Sequence, residues 1–108
     1  MAYNQLLASR ISNLMIEHQL KIEEKKMFGG LAFMYRGKMC CGIIKDHLMV
    51  RAPKENYDQL LKQPFVRVMD FTGRPMKGFL FVDPGGFQTD DNLWKWLKIG
   101  KSYVDQHI

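Results

Sequence analysis

The chain has 108 residues, 46% of them apolar and 25% charged, with a formal net charge of +5. This fits one compact domain, long enough to bury a core without disulfide or metal staples, and it excludes an intrinsically disordered chain. No apolar run approaches a membrane span, and the start MAYNQLLASR lacks the basic head and long apolar stretch of a signal peptide, so a cytoplasmic protein without membrane contact is expected.

Residues 3–20 carry Leu7, Ile11, Leu14, Met15 and His18 on one stripe of an amphipathic helix. Gly29-Gly30 then breaks the chain before the run Leu31 to Arg36. Gly37-Lys38 is a turn signal with Gly first, Met39 to Lys45 is the next strand, and Asp46-His47 turns into Leu48 to Ala52. These three runs predict an antiparallel meander.

Two-residue turns at those positions sort the side chains into two faces. Ala32, Met34, Cys41, Ile43, Leu48, Val50 and Ala52 make a compact aliphatic face suited to helices. Leu31, Phe33, Tyr35, Cys40, Ile44, Met49 and Arg51 make a second, more aromatic face, with Phe33 lying across Gly42. A sheet that is apolar on both faces must be covered on both or bind something. Cys40 and Cys41 are adjacent, so a regular strand points them to opposite faces, away from any shared metal or bridge. Reduced, buried thiols are the expectation, in keeping with a reducing compartment.

Pro53 opens a short helix over Lys54 to Lys62, presenting Tyr57, Leu60 and Leu61. Phe65 to Phe71 and Met76 to Val82 read as a second strand pair, and Asp83-Pro84-Gly85-Gly86 is a stop. Thr89 is the N-cap of a last helix running to about Tyr103, with Asp90 and Asp91 in its first turn and Leu93, Leu97, Gly100 and Val104 on its inner stripe. The predicted order is α-β-β-β-α-β-β-α. It forms a single α+β domain over residues 1–108, two-layered, with an antiparallel five-stranded sheet and its helices mainly on one face.

Charge is uneven: residues 25–77 hold eleven Lys or Arg against four Asp or Glu. Such a field favours an anionic partner, and nucleic acid is one candidate. Lys25-Lys26 beside Gly29-Gly30 is a candidate phosphate cradle, although its spacing matches neither a P-loop nor a dinucleotide fingerprint. His18, His47 and His107 are not spaced with either cysteine or a carboxylate in a catalytic pattern. No His-x-x-His or Cys-x-x-Cys metal pair occurs. Asp70 with Arg74 or Lys77 reads as an exposed ion pair across the second hairpin. No enzymatic activity, cofactor, metal or small-molecule substrate is inferred. A deep polar pocket around Arg51 or Lys26 holding a ligand would reopen that question.

Lys26-Met27-Phe28-Gly29-Gly30, the hairpin Gly37-Lys38-Met39 and Leu48-Met49-Val50-Arg51-Ala52 resemble the N-terminal domain of the TfoX/Sxy competence-regulator family. Gly73-Arg74-Pro75-Met76-Lys77-Gly78 and the closing Trp-containing helix fit the same pattern. The resemblance covers essentially the whole chain. It implies a two-layer α/β fold similar to secretion chaperones, without enzymatic activity. Full-length members are linked to competence-gene regulation with the cyclic-AMP receptor protein. This chain ends where the family's helical C-terminal domain would begin. Arg51 keeps the charge of a family position that usually holds Lys.

The leading reading is a small non-enzymatic interaction module acting through a homodimer or a protein partner. Phe33, Tyr35, Met49 and Arg51 are its expected binding face, with Lys25, Lys26, Gly29 and Gly30 as accessory contacts. The alternative is a nucleic-acid-binding accessory protein using segment 25–77.

Overall fold

A computed structural model describes residues 3–27, 29–71 and 74–107. The chain begins with helix α1 (Gln5–Glu17), capped by the Asn4 side chain, which accepts from the Leu7 N–H. Strands β1 (Ile22–Met27), β2 (Gly30–Tyr35), β3 (Lys38–Ile44) and β4 (His47–Arg51) follow. A 3-10 turn at Lys54–Asn56 leads into α2 (Tyr57–Leu61), then β5 (Val66–Phe71) and β6 (Arg74–Val82). Helix α3 (Asp90–Gln106) closes the chain, and the Thr89 side chain accepts from the Asn92 N–H at its start. The expected α+β architecture with one antiparallel sheet therefore holds. The expectation of a five-stranded sheet does not: the sheet has six strands, in the order β1-β2-β3-β4-β6-β5.

The added strand is β1, IEEKKM. Glu23, Glu24, Lys25 and Lys26 are all exposed, so neither face shows the alternation that marks a half-buried strand. It pairs with β2 along its whole length, from Ile22 opposite Tyr35 to Met27 opposite Gly30.

The register of the meander also corrects the sequence expectation. The first tight turn is Arg36-Gly37, both at positive φ (53° and 83°), which brings Tyr35 opposite Lys38. A bulge then leaves Cys40 unpaired, with Met34 opposite Met39 and Phe33 opposite Cys41. The far end of the hairpin is therefore one residue out of the expected register, and a one-residue slip moves β2 to the other face relative to β3. In the second hairpin the turn is Lys45-Asp46, with Ile43 opposite Leu48 and Cys41 opposite Val50. That is a shift of two, which leaves every side chain on its face.

Leu31 and Phe33 consequently join Cys41, Ile43, Leu48, Val50, Leu80 and Val82 under the helices. Helix α1 supplies Leu7, Ile11, Leu14 and Met15 to this core, and α3 supplies Leu93, Trp96, Leu97 and Val104. Trp96 is anchored by its indole N–H, which donates to the Gly86 carbonyl at 3.0 Å. His18 caps the C-terminus of α1 and stacks on Trp94 with ring centroids 3.7 Å apart. On the opposite sheet face Met49, Phe79 and Phe81 form a smaller cluster, joined by Met39 and Ile44. Met49, not Phe33, covers Gly42: a Cβ there would lie 2.5 Å from the Met49 methyl.

Candidate functional site

The eight residues expected to form a binding surface do not converge. Phe33 is fully buried under the helices, and Met49 is fully buried on the other face. Tyr35 is half-buried beside the end of α3, where the Lys101 ammonium lies 5.8 Å from its ring. Lys101 also bonds Asp105 at 2.7 Å, and that bond holds the Asp105 carboxyl below its ordinary range. Lys25 and Lys26 are exposed and point to opposite faces of β1. From the outer strand to β4 is three strand spacings, about 14 Å, so neither lysine shares a site with Arg51. Gly29 is exposed at φ 73° and sits in the β1–β2 connection. Gly30 is buried, and a side chain there would overlap the Ile43 carbonyl, so that glycine serves close strand pairing. The side chains of the expected Asp70 pair with Arg74 or Lys77 lie outside the described residues.

Arg51 is the one expected residue that stands in a built environment. It ends β4, opposite Phe79 of β6. Its guanidinium carbon lies 4.4 Å from the Phe79 ring centroid and 4.5 Å from that of Tyr103 on α3. Nη2 donates to the Tyr103 hydroxyl at 2.8 Å. Nε is buried without a hydrogen-bond partner, and none of the ion pairs among the described residues involves Arg51. Gly78 lies beside the group, and its φ of 86° is what calls for glycine there: a Cβ would stand in ordinary contact, 3.5 Å from the guanidinium carbon. Beside this arrangement opens a cavity of about 590 Å³, lined also by Lys54, Tyr57, Asp58 and His107. Burial first, and then the Asp58 charge, push the Tyr57 hydroxyl above its ordinary range, so it stays a neutral donor. The sequence signal for this site was Arg51 on an otherwise apolar strand. The contributions of Tyr103 and His107 were hidden, because only the fold brings the end of α3 to the end of β4.

Two further groupings were not visible in the sequence. His47, Arg67 and Asp83 meet at the start of β4: His47 Nδ1 is 3.1 Å from Asp83, and Arg67 Nη2 is 3.2 Å from His47 Nε2. Nε2 is thus engaged by Arg67, whereas Nδ1 lies near the Asp83 carboxylate without a hydrogen bond, so the three groups form a surface charge cluster. The second is the cysteine pair. The bulge at Cys40 turns both sulfurs into the same core, 3.7 Å apart, which corrects the expectation of opposite faces. Cys40 also donates to the Phe33 carbonyl at 3.4 Å. The contact with Cys41 holds Cys40 below the ordinary thiol range, while the same contact and burial push Cys41 well up. Both side chains are fully buried, and burial decides reactivity. The native protein is therefore expected to show no rapid reaction with Ellman's reagent and two thiols per chain once unfolded. A fast native equivalent would contradict the packing.

Among the described residues no cluster of His, Cys, Asp and Glu is placed to hold a metal ion, and no helix is long and apolar enough to cross a membrane. No curated protein and no solved structure matches the chain. The model of the TfoX N-terminal domain matches residues 15–102, from the last turn of α1 to near the end of α3. With the complete sheet and most of α3 inside that span, the chain belongs to the TfoX N-terminal domain family.

Proposed function

We propose that the chain is a small non-enzymatic regulatory module that acts through protein contacts, in the first place with a second copy of itself. A cytoplasmic setting and a part in transcription regulation, the role to which the family resemblance points, belong to the same proposal. The observation that carries it is the outer strand β1. It pairs on one side only, with β2, and its four central residues are exposed. Such an edge is a template for strand addition.

The charges on β1 favour a second copy as the occupant. A two-fold axis through Glu24 runs the two edges antiparallel and sets Glu23 opposite the second copy's Lys25, twice, on the face away from the helices. On the helix face the two Glu24 side chains meet, each with a Lys26 on its diagonal. Opposite pairs therefore outnumber the single like pair.

Sedimentation tests this directly. The wild type is expected to associate at micromolar concentration. Glu23→Lys with Glu24→Lys makes the edge wholly basic, and Lys25→Glu with Lys26→Glu makes it wholly acidic. Each variant alone is expected to be monomeric, and an equimolar mixture to recover the dimer. All four positions are exposed, so the fold itself is little affected. A monomeric wild type, or variants that associate as the wild type does, would overturn the β1 contact.

A further inference from the structure

We propose that the cavity beside Arg51 is a binding site for a small oxyanion, with the guanidinium as its anchor. The proposal stands apart from self-association: the cavity lies at the ends of β4 and α3, whereas β1 is the far edge of the sheet.

Half-buried cations are ordinarily paired with a carboxylate, because desolvation of an isolated charge is costly. Arg51 is half-buried, and its partners among the described residues are two aromatic faces and one neutral hydroxyl. Stacking between Phe79 and Tyr103 offsets part of that cost and fixes the plane of the fork. One hydrogen of Nη2 is tied to Tyr103, which leaves Nε–H, without a partner, and the Nη1 hydrogens as donors for a ligand. A fixed, planar donor edge is the geometry that recognises carboxylate and phosphate oxygens.

The rest of the lining agrees. Lys54 adds a second cation, and the Tyr57 hydroxyl stays protonated, its proton directed to the Phe79 carbonyl in a long bond of 3.5 Å that a ligand oxygen can replace. His107 stacks on Tyr103 and directs Nδ1 to the Tyr103 carbonyl at 2.8 Å, so its other nitrogen is the one left for a ligand. Among the described residues Asp58 is the only carboxylate on the wall, and it suits a hydroxyl on the ligand. Donors thus predominate around one acceptor, which matches a phosphorylated or carboxylated molecule bearing hydroxyl groups. The volume of about 590 Å³ admits a ligand of sugar-phosphate size.

The test is a titration of the full chain with inorganic phosphate, ribose 5-phosphate and citrate, followed by amide and arginine Nε–H resonances, with potassium chloride as the ionic-strength control. At least one probe is expected to shift the Arg51 Nε–H and the amides of Gly78 and Tyr103 saturably, with chloride silent. Tighter binding of ribose 5-phosphate than of phosphate assigns a phosphomonoester, and citrate alone assigns a carboxylate. Arg51→Gln is expected to weaken binding at least tenfold, and Arg51→Lys to restore it only in part, since it keeps the charge and loses the fork. If Arg51→Gln fails to fold, exposed Lys54→Gln decides, with an expected loss of at least threefold. Silence with all three probes, shifts shared equally with chloride, or unaltered affinity in the folded variants would overturn the site.

Discussion

Gly100→Ala is expected to destabilise the protein by about 2–3 kcal/mol, read as a lower urea midpoint at unchanged slope. The sign is opposite to what helix propensity dictates, since Gly to Ala inside a helix normally gains about 1 kcal/mol. Gly100 lies in α3 and is buried against β3. A Cβ there would overlap the Cys40 carbonyl oxygen and stand 2.9 Å from its carbon. Backbone on the receiving side cannot rotate away as a side chain would, so helix or strand must shift. The overpacking cost therefore exceeds the propensity gain. Exposed Ser102 on the same helix supplies the control: Ser102→Ala meets no such neighbour and should stabilise by a few tenths of a kcal/mol. A Gly100→Ala protein as stable as the wild type would show that α3 does not rest on the bulge at Cys40.

Phe33→Ala is expected to cost about 3–5 kcal/mol, enough to leave a domain of this size marginal or unfolded. Phe33 is among the largest side chains without solvent exposure, and it lies in the cluster shared by α1, α3 and the sheet. The experiment separates two readings of the same residue. On an open binding face its removal would leave stability nearly unchanged and abolish partner contact. Under the helices it leaves a cavity, and the loss appears in denaturant unfolding before any binding is measured. Tyr35→Ala, at a half-buried position, is expected to cost distinctly less. Equal and small effects at both sites would restore the open-face placement.

The two long helices were legible because each carries a wide apolar stripe and a capping side chain. Leu7, Ile11, Leu14 and Met15 face the core as their spacing indicates, and Thr89 caps α3 as its position before Asp90-Asp91 indicates. α3 runs on to Gln106, a turn beyond the expected end, because nothing in its last residues breaks a helix. Strand β1 was not legible, since an edge strand with charge on both faces carries no period-two contrast. The register failed at a specific place. Arg36 and Lys45 take positive φ (53° and 55°), conformations that sequence rules assign to Gly or Asn, so the turns begin one residue earlier than their composition suggests. The bulge at Cys40 then leaves β2 on the face opposite to the expected one. Arg51 keeps its expected sheet face because the shift in the second hairpin is one of two residues. Its partners Phe79, Tyr103 and His107 are remote in sequence, and only tertiary contact reveals them.

The strand order has a kinetic meaning. Among the described strands, every pairing but one joins neighbours in the chain: β1 with β2, β2 with β3, β3 with β4, and β5 with β6. Their strands lie only a few residues apart in the chain, so the loops they close are small. The exception is the seam of Leu48–Arg51 against Phe79–Val82, which closes around α2 and β5. Two locally assembled pieces, a four-stranded meander and a hairpin, must therefore find each other there, and this is the step that carries the large entropic cost. Arg51, Phe79 and the cavity all sit at one end of that seam. Whatever occupies the cavity would thus touch both pieces at once and act as a clasp on their docking.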